Sequence, residues 1–293
     1  MISSKHHETT AWSIPLVFSA VLLLGVPSFA ALVSDGETVE ELMELSGLTQ
    51  QIPRLPTEYM TFVDQLLAAL ERQRHPVPSK LRRQIRQSFV DALTPERLES
   101  EIRARLLDGL SQDTTLATVS WLRADVGKRI IAAELNASSP EKSVQFATFL
   151  LQLQVERPAP ERLQLIRRIE QITQGSEMAT EAWEAVVSAV ARALEAEYRT
   201  KNLKGKEQLQ EYLASIRGSV KDMFQQARIV QALFTYRLLT DEDLQQYAEF
   251  LETPAGRDVT QTINRAVQGA AIGAIQNVQP ALLQSPRSPD ERA

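Results

Sequence analysis

From Val39 onward the apolar residues of this chain return at steps of three and four positions, the spacing that gathers side chains on one side of an α-helix. Tyr59, Phe62, Val63, Leu66, Leu67 and Leu70 form one such stripe, Leu81, Ile85, Phe89 and Leu93 a second, and Leu98, Ile102, Leu106 and Leu110 a third. The second half carries the most regular one, Trp183, Val186, Val187, Val190, Leu194 and Tyr198. Helix-start signals stand between the stripes. Thr94-Pro95 and Thr253-Pro254 each put a hydroxyl at the N-cap and a proline at the first helical position, where its missing donor is no loss. Thr240 with Asp243 reads as a near capping box. An all-α fold is predicted, and 293 residues with 43% hydrophobic content can enclose a sizeable core.

The stripes also repeat. Trp121-Leu122 is followed by Gly127-Lys128, and Phe250-Leu251 by Gly256-Arg257, in each case an aromatic six positions before a glycine that precedes a cation. Leu110 lies as far before Gly127 as Leu239 before Gly256, and one residue of slippage brings Leu116 level with Leu244. Leu42, Leu45 and Leu48-Thr49-Gln50 return as Ile166, Ile169 and Ile172-Thr173-Gln174. The same order of matches in both halves points to an internal duplication of a unit of roughly 100 residues, longer than the short solenoid repeats.

The layout expected from this is a first helical unit over 31–137, a linking helix over 138–158 and a second unit over 159–278, forming two tandem pseudo-repeated bundles packed into one compact body. The linking segment carries Val144, Phe146, Phe149, Leu150, Leu151 and Leu153 nearly all round its axis. A helix without a polar face is expected to be buried, so this one is predicted to be wedged between the units. A strand is the rival, since Leu151, Leu153 and Val155 alternate, but the length of the run favours helix. Gly127 inside a helical stripe is a cost that a close backbone approach explains. Gly269, Ala270, Gly273 and Ala274 in the last helix should let a neighbouring helix come close.

Leu42-Met43 through Ser46-Gly47-Leu48 with Gln51 open the unit, and Trp121-Leu122 to Gly127-Lys128, or Phe250-Leu251 through Thr253-Pro254 to Gly256-Arg257, close it. These residues resemble the bacterial family called domain of unknown function 2059. The second copy is the closer match, because the first has Ala124-Asp125-Val126 where the family's end motif carries a proline. The resemblance spans about residues 38–275. It implies an exported helical protein in two tandem copies, with no assigned chemistry.

The first thirty residues are separate from the fold. Lys5 with His6 and His7 gives a weakly positive start, Ile14 to Val26 is an apolar run broken by Pro15, and Ser28-Phe29-Ala30 offers small residues at an export-cleavage site. Residues 1–30 are therefore expected to be a signal peptide cleaved near Ala30, which makes the protein periplasmic or secreted. An uncleaved anchor is the alternative, although the run is shorter than the ~20 residues of a spanning helix. Cysteine is absent, which removes a lipid-modified cysteine and any disulfide framework. The net charge of -5 is the same after cleavage, because Lys5 and Glu8 leave together, and it argues against nucleic acid as a partner. Proline and charge from Gln279 onward read as a disordered tail over 279–293.

Chemistry is hard to assign. Past the signal segment the one histidine is His75, between Arg74 and Pro76, so the Ser-His-Asp, Cys-His and multi-histidine metal arrangements have no material. Glycine-rich phosphate loops and calcium-loop spacing are absent from the sequence. Asp241-Glu242-Asp243 reads as a helix's first turn, where acids belong without a ligand. Lys80-Leu81-Arg82-Arg83 with Arg86, and Arg199 with Lys201, Lys204 and Lys206, read as solvated faces, with anionic lipid headgroups or cell-wall polymer as the functional alternative. Asn136-Ala137-Ser138 matches a glycosylation acceptor by chance. No catalytic residue, cofactor or metal ligand is nominated.

Trp121 and Phe250 read first as core packing at equivalent places in the two copies, and the candidate site, a partner groove lined by Trp121, Gly127, Phe250 and Gly256, is the sharper alternative. The function expected is that of a non-catalytic, exported helical protein that binds or scaffolds an envelope protein or polymer. Two rivals remain. An envelope hydrolase working through carboxylates requires an open cleft in which a glutamate lies against apolar walls, and a carrier of apolar ligands requires an internal cavity.

Overall fold

The computed structural model describes residues 35–72, 77–137, 142–200 and 206–278. The expected signal segment 1–30, His75, Ser138 of the glycosylation match, residues 201–205 in the second basic cluster and the expected tail 279–293 lie outside the described residues. The described chain is all-α. Its helices run α1 (Asp35–Leu45), α2 (Leu48–Gln51), a 3-10 turn (Ile52–Arg54), α3 (Leu55–Arg72), α4 (Ser79–Ala92), α5 (Pro95–Gly109), α6 (Gln112–Leu122) and α7 (Asp125–Ala137). After α8 (Ser143–Val155) come α9 (Pro160–Thr173), α10 (Gly175–Thr200), α11 (Lys206–Thr235), α12 (Asp241–Leu251) and α13 (Pro254–Gln276).

Thr94, Thr253 and Thr240 act as the expected caps, and Ser111 adds one that sequence reasoning did not single out. Thr94, Ser111 and Thr253 each accept a backbone N–H of the helix they open, and Thr240 with Asp243 closes a full capping box. Each satisfies a donor that the first turn would leave unpaired.

The two halves use the same local construction. The passage from α1 to α2 goes through Gly47 at φ 73, and the passage from α9 to α10 through Gln174 at φ 54. At both corners the positive-φ carbonyl accepts an N–H four residues on, from Gln51 at 3.1 Å and from Met178 at 3.0 Å. Burial agrees with this alignment: Val39 and Leu42 before one corner, Ile166 and Ile169 before the other, are all inside. Leu42 therefore corresponds to Ile169, one helical turn away from the Ile166 that sequence matching pairs with it. A helical stripe looks much the same after a three-residue shift, and the left-handed corner is what sets the register.

The ends of the halves correspond without slippage. α6 and α12 both have eleven residues and both are opened by a hydroxyl N-cap. Thr115, 2% exposed, holds the place of the fully buried Leu244, while Leu116 points outward at 47% exposure. In each half the opening helix packs on this one, α1 on α6 and α9 on α12. An ion pair ties each of these pairings at the same place with its charges exchanged, Glu41 to Arg123 in the first half and Arg168 to Glu252 in the second.

The halves then pack on one another, α6 against α13, α7 against α12, α3 against α10 and α5 against α13. One continuous apolar core runs through both. Of the small residues in α13, Ala270 and Ala274 are buried, Gly269 makes room for the Arg105 side chain of α5, and Gly273 faces open space.

The linking segment departs from expectation. Among the described residues of 138–158 a helix does form, over Ser143–Val155, but none of its residues is buried and it is not wedged between the halves. It leans on the end of α11, through Phe146 and Phe149 against Phe234. Apolar content all round a helix requires a cover on every side, and within this chain the halves cover each other instead.

Candidate functional site

Both aromatic-to-glycine motifs turn out to be corners between helices. After Trp121 the chain leaves α6, Ala124 N–H donates to the Trp121 carbonyl at 2.8 Å, and α7 begins; after Phe250, Thr253 N–H donates to the Phe250 carbonyl at 2.7 Å, and α13 begins. The first turn of the new helix crosses directly over the aromatic residue. A Cβ on Gly127 would stand 2.3 Å from the Trp121 carbonyl oxygen and 2.8 Å from its ring, and one on Gly256 would stand 2.0 Å from the Phe250 carbonyl oxygen. No side chain fits there, which accounts for the spacing of aromatic and glycine. The close backbone approach expected at Gly127 is thus made by its own corner.

The two corners face each other. The rings of Trp121 and Phe250 stack at 5.6 Å with 7° between their planes, and Tyr247 lies parallel to Trp121 at 6.1 Å. Trp121 is 2% exposed and Phe250 1%, and both glycines are buried. The groove expected at Trp121, Gly127, Phe250 and Gly256 is therefore absent: these four residues form an internal seam, because each aromatic face is covered by its counterpart from the other half.

Polar contacts at the rim of the seam are reciprocal. Arg129 of α7 pairs with Asp243 of α12, and Asp258 of α13 accepts a hydrogen bond from the Thr114 hydroxyl of α6 at 2.9 Å. Arg129 and Asp258 each stand two residues beyond the corner glycine, and Thr114 and Asp243 each stand three beyond the N-cap. This is the pattern of an isologous interface, in which place i meets place j and place j meets place i. Burial pulls the Asp243 carboxyl upward, but hydrogen bonds from Arg129 and Thr240 outweigh it and hold the group below its ordinary range. In the second half, hydrogen bonds from Arg168 likewise hold Glu252 low, against a smaller opposing effect of burial.

Glu134 closes the seam from α7. Its carboxyl accepts hydrogen bonds from Tyr236 at 2.7 Å and Tyr247 at 3.4 Å, both from the second half. Burial pushes it up to about 8, further than the two tyrosine hydroxyls and Arg228 pull it down. It is a protonated, hydrogen-bonded acid at neutral pH, and sequence reasoning passed over it. The available signal was an acid on the same helical face as Ile130 and Ala137.

The exposed apolar surface lies elsewhere, on α8. Val144 is 74% exposed, Leu151 65% and Val155 90%, and Leu238 in the α11–α12 turn is 78% exposed. Ser143–Val155 contains no charged residue. Arg237 secures the helix, stacking 3.9 Å over the Phe234 ring and donating to the Gln145 side chain at 3.2 Å.

The other sequence candidates have ordinary roles. Asp241 pairs with Arg162, and Asp243 is taken by its cap and by Arg129. Arg82 and Arg86 pair with Glu71 and Asp64 on a solvated face. Among the described residues no cluster of three metal-ligating side chains occurs, and no helix is long and apolar enough to cross a membrane. Compared with known proteins, the chain matches no family model, no curated protein and no solved structure.

Proposed function

We propose that this chain is an exported, non-catalytic binding and scaffolding protein of the cell envelope, built as two fused copies of one helical unit and docking to another protein through α8. The observation that carries the docking is the state of α8, an uncharged helix with apolar residues on every side and none of them buried. Export rests on the layout of residues 1–30 and on the resemblance to the domain of unknown function 2059 family. Fusion rests on the matched corners, the charge-exchanged ion pairs and the reciprocal contacts across the seam. An interface between two like subunits would take this form once they were joined end to end, with α8 as the joint.

The occupant of α8 follows from its composition. Gln145, Gln152 and Gln154 are interspersed among the apolar residues, and lipid would strand their amides. A second α8 is too small a partner, because helices ~20 Å long cover well under the ~800 Å² per side that stable interfaces need. A protein surface with apolar pockets and amide-pairing groups meets both demands, and an uncharged helix suits the centre of such an interface. Less supports the carrier. The cavity beside Phe62 has a volume of about 50 Å³, below the several hundred Å³ typical of a ligand carrier.

Because the chain has no cysteine, Val155→Cys gives a single attachment point for a photo-cross-linker. Cross-linking in envelope extract should yield one discrete protein adduct from Val155→Cys and none from Leu116→Cys, an exposed position on α6. Equal labelling from both sites, adducts with lipid alone, or no adduct would refute docking through α8.

A further inference from the structure

One face of the molecule carries charge of the sign opposite to the whole. The chain has a net charge of -5, yet α4 holds Lys80, Arg82, Arg83 and Arg86 against Asp91 alone. Like charges three or four positions apart on a helix repel, so this spacing costs α4 stability. The inner side of the helix, Leu81, Ile85 and Phe89, is buried, and the row opposite it, Lys80, Arg83, Gln87 and Val90, is exposed.

The chain neutralises only the flank of this face. Arg82 pairs with Glu71 and Arg86 with Asp64, both acids belonging to α3. From the first pair to the second the α4 position advances while the α3 position goes back, so the two helices run antiparallel, and Arg72, the last residue of α3, stands beside the start of α4. Arg72, Lys80 and Arg83 are exposed, and none is ion-paired with a described residue. Asp91 accepts from the Gln87 amide at 2.7 Å. It lies ~12 Å along the axis from Arg83, beyond the ~8–10 Å over which exposed charges act at physiological salt.

We propose that the molecule docks reversibly onto an anionic lipid surface through Arg72, Lys80 and Arg83, where α3 ends and α4 begins. Charge complementarity selects an anionic partner, and the form of the face selects lipid. The outward side of a helix is convex and gives a polymer strand no cleft to lie in. A protein partner would need an apolar centre, and Val90 is the one large hydrophobic that α4 exposes. A headgroup layer is flat and fluid, so its phosphates move to meet cations at whatever spacing the helix presents. Each cation near such a surface strengthens binding about fivefold, and three together about a hundredfold. That is a salt-sensitive attachment, far weaker than an inserted anchor. The proposal is independent of docking through α8.

Co-sedimentation of the full chain with phosphatidylcholine vesicles, with and without about a third of phosphatidylglycerol, tests it. Binding is expected to the anionic vesicles alone and should fall at least about tenfold from ~0.02 M to ~0.5 M salt. The triple variant Arg72→Gln, Lys80→Gln, Arg83→Gln should bind about a hundredfold more weakly while its thermal unfolding stays cooperative. Removing as much charge at the exposed Lys128, Arg167 and Lys221, as Lys128→Gln, Arg167→Gln, Lys221→Gln, should leave binding within about threefold of the parent. Arg72→Lys with Arg83→Lys should bind within about twofold, because a fluid headgroup layer reads charge and not the fork of a guanidinium. Equal loss from the two triple variants, equal binding to neutral vesicles, or no sedimentation at low salt would overturn the proposal. So would retention on immobilised polyphosphate without partition to vesicles, which would assign the face to a polymer.

Discussion

The aromatic seam and α8 are both apolar and both lie where the two halves are joined, yet Trp121 and Phe250 are 2% and 1% exposed while Val155 is 90% exposed. The difference lies in what stands opposite. Each seam aromatic meets its counterpart in the other half, and reciprocal polar contacts close the rim. α8 has no counterpart in either half and packs its two phenylalanines on the end of α11. Apolar spacing decides that a helix forms; a complementary surface decides whether that helix is covered.

The contrast can be broken most strongly at the seam. Trp121→Ala should destabilise by about 3–5 kcal/mol in denaturant unfolding, the usual cost of truncating a buried aromatic. Phe250→Ala should cost a similar amount. The double variant should fall short of the sum by about 1 kcal/mol, because the stacked pair is lost only once. Full additivity would mean that the rings do not act together. Gly127→Ala and Gly256→Ala come next, at about 1–3 kcal/mol each, since a methyl group forces the corner open against a carbonyl. A neutral Gly256→Ala would remove the steric explanation of the motif.

The pH dependence of stability sharpens the same point. The folded-state values of Glu134 and Glu58, both about 8, lie above the 4.5 of a free glutamate. The stabilising contribution of each is complete below that lower value and is lost as pH rises to the upper one, at about 1.4 kcal/mol per pH unit for each carboxyl. The unfolding midpoint should therefore fall between pH 5 and pH 8, and Glu134→Gln should make that decline shallower. The smallest effect belongs to α8. Val155→Asp should change stability by less than about 0.5 kcal/mol, as substitutions at uncovered sites do.

Much of the fold was legible in the sequence. The stripes, caps and prolines marked helices because they report local backbone physics, and the corner motif stood out because a steric clash excludes every residue but glycine. The register of the opening match was not legible, since Leu42 could pair with Ile166 or Ile169 until the corners at Gly47 and Gln174 fixed it. Burial was assigned wrongly at α8, where a core helix was expected, whereas core packing at Trp121 and Phe250 was the ordinary reading and a partner groove there the sharper one. Composition cannot tell apart an apolar helix facing its twin and one facing outward. Glu134 was hidden for a similar reason, because Tyr236 and Tyr247 lie far from it in sequence and meet it only through the packing of α7 on α11 and α12.

Hydrogen exchange of the isolated protein, followed peptide by peptide by mass spectrometry, tests most directly whether the halves bury each other and leave α8 uncovered. Peptides from α6, α7, α12 and α13 should exchange only through global opening, and those from Ser143–Val155 should exchange orders of magnitude faster. Protection of α8 equal to that of the seam would contradict this and return it to the core.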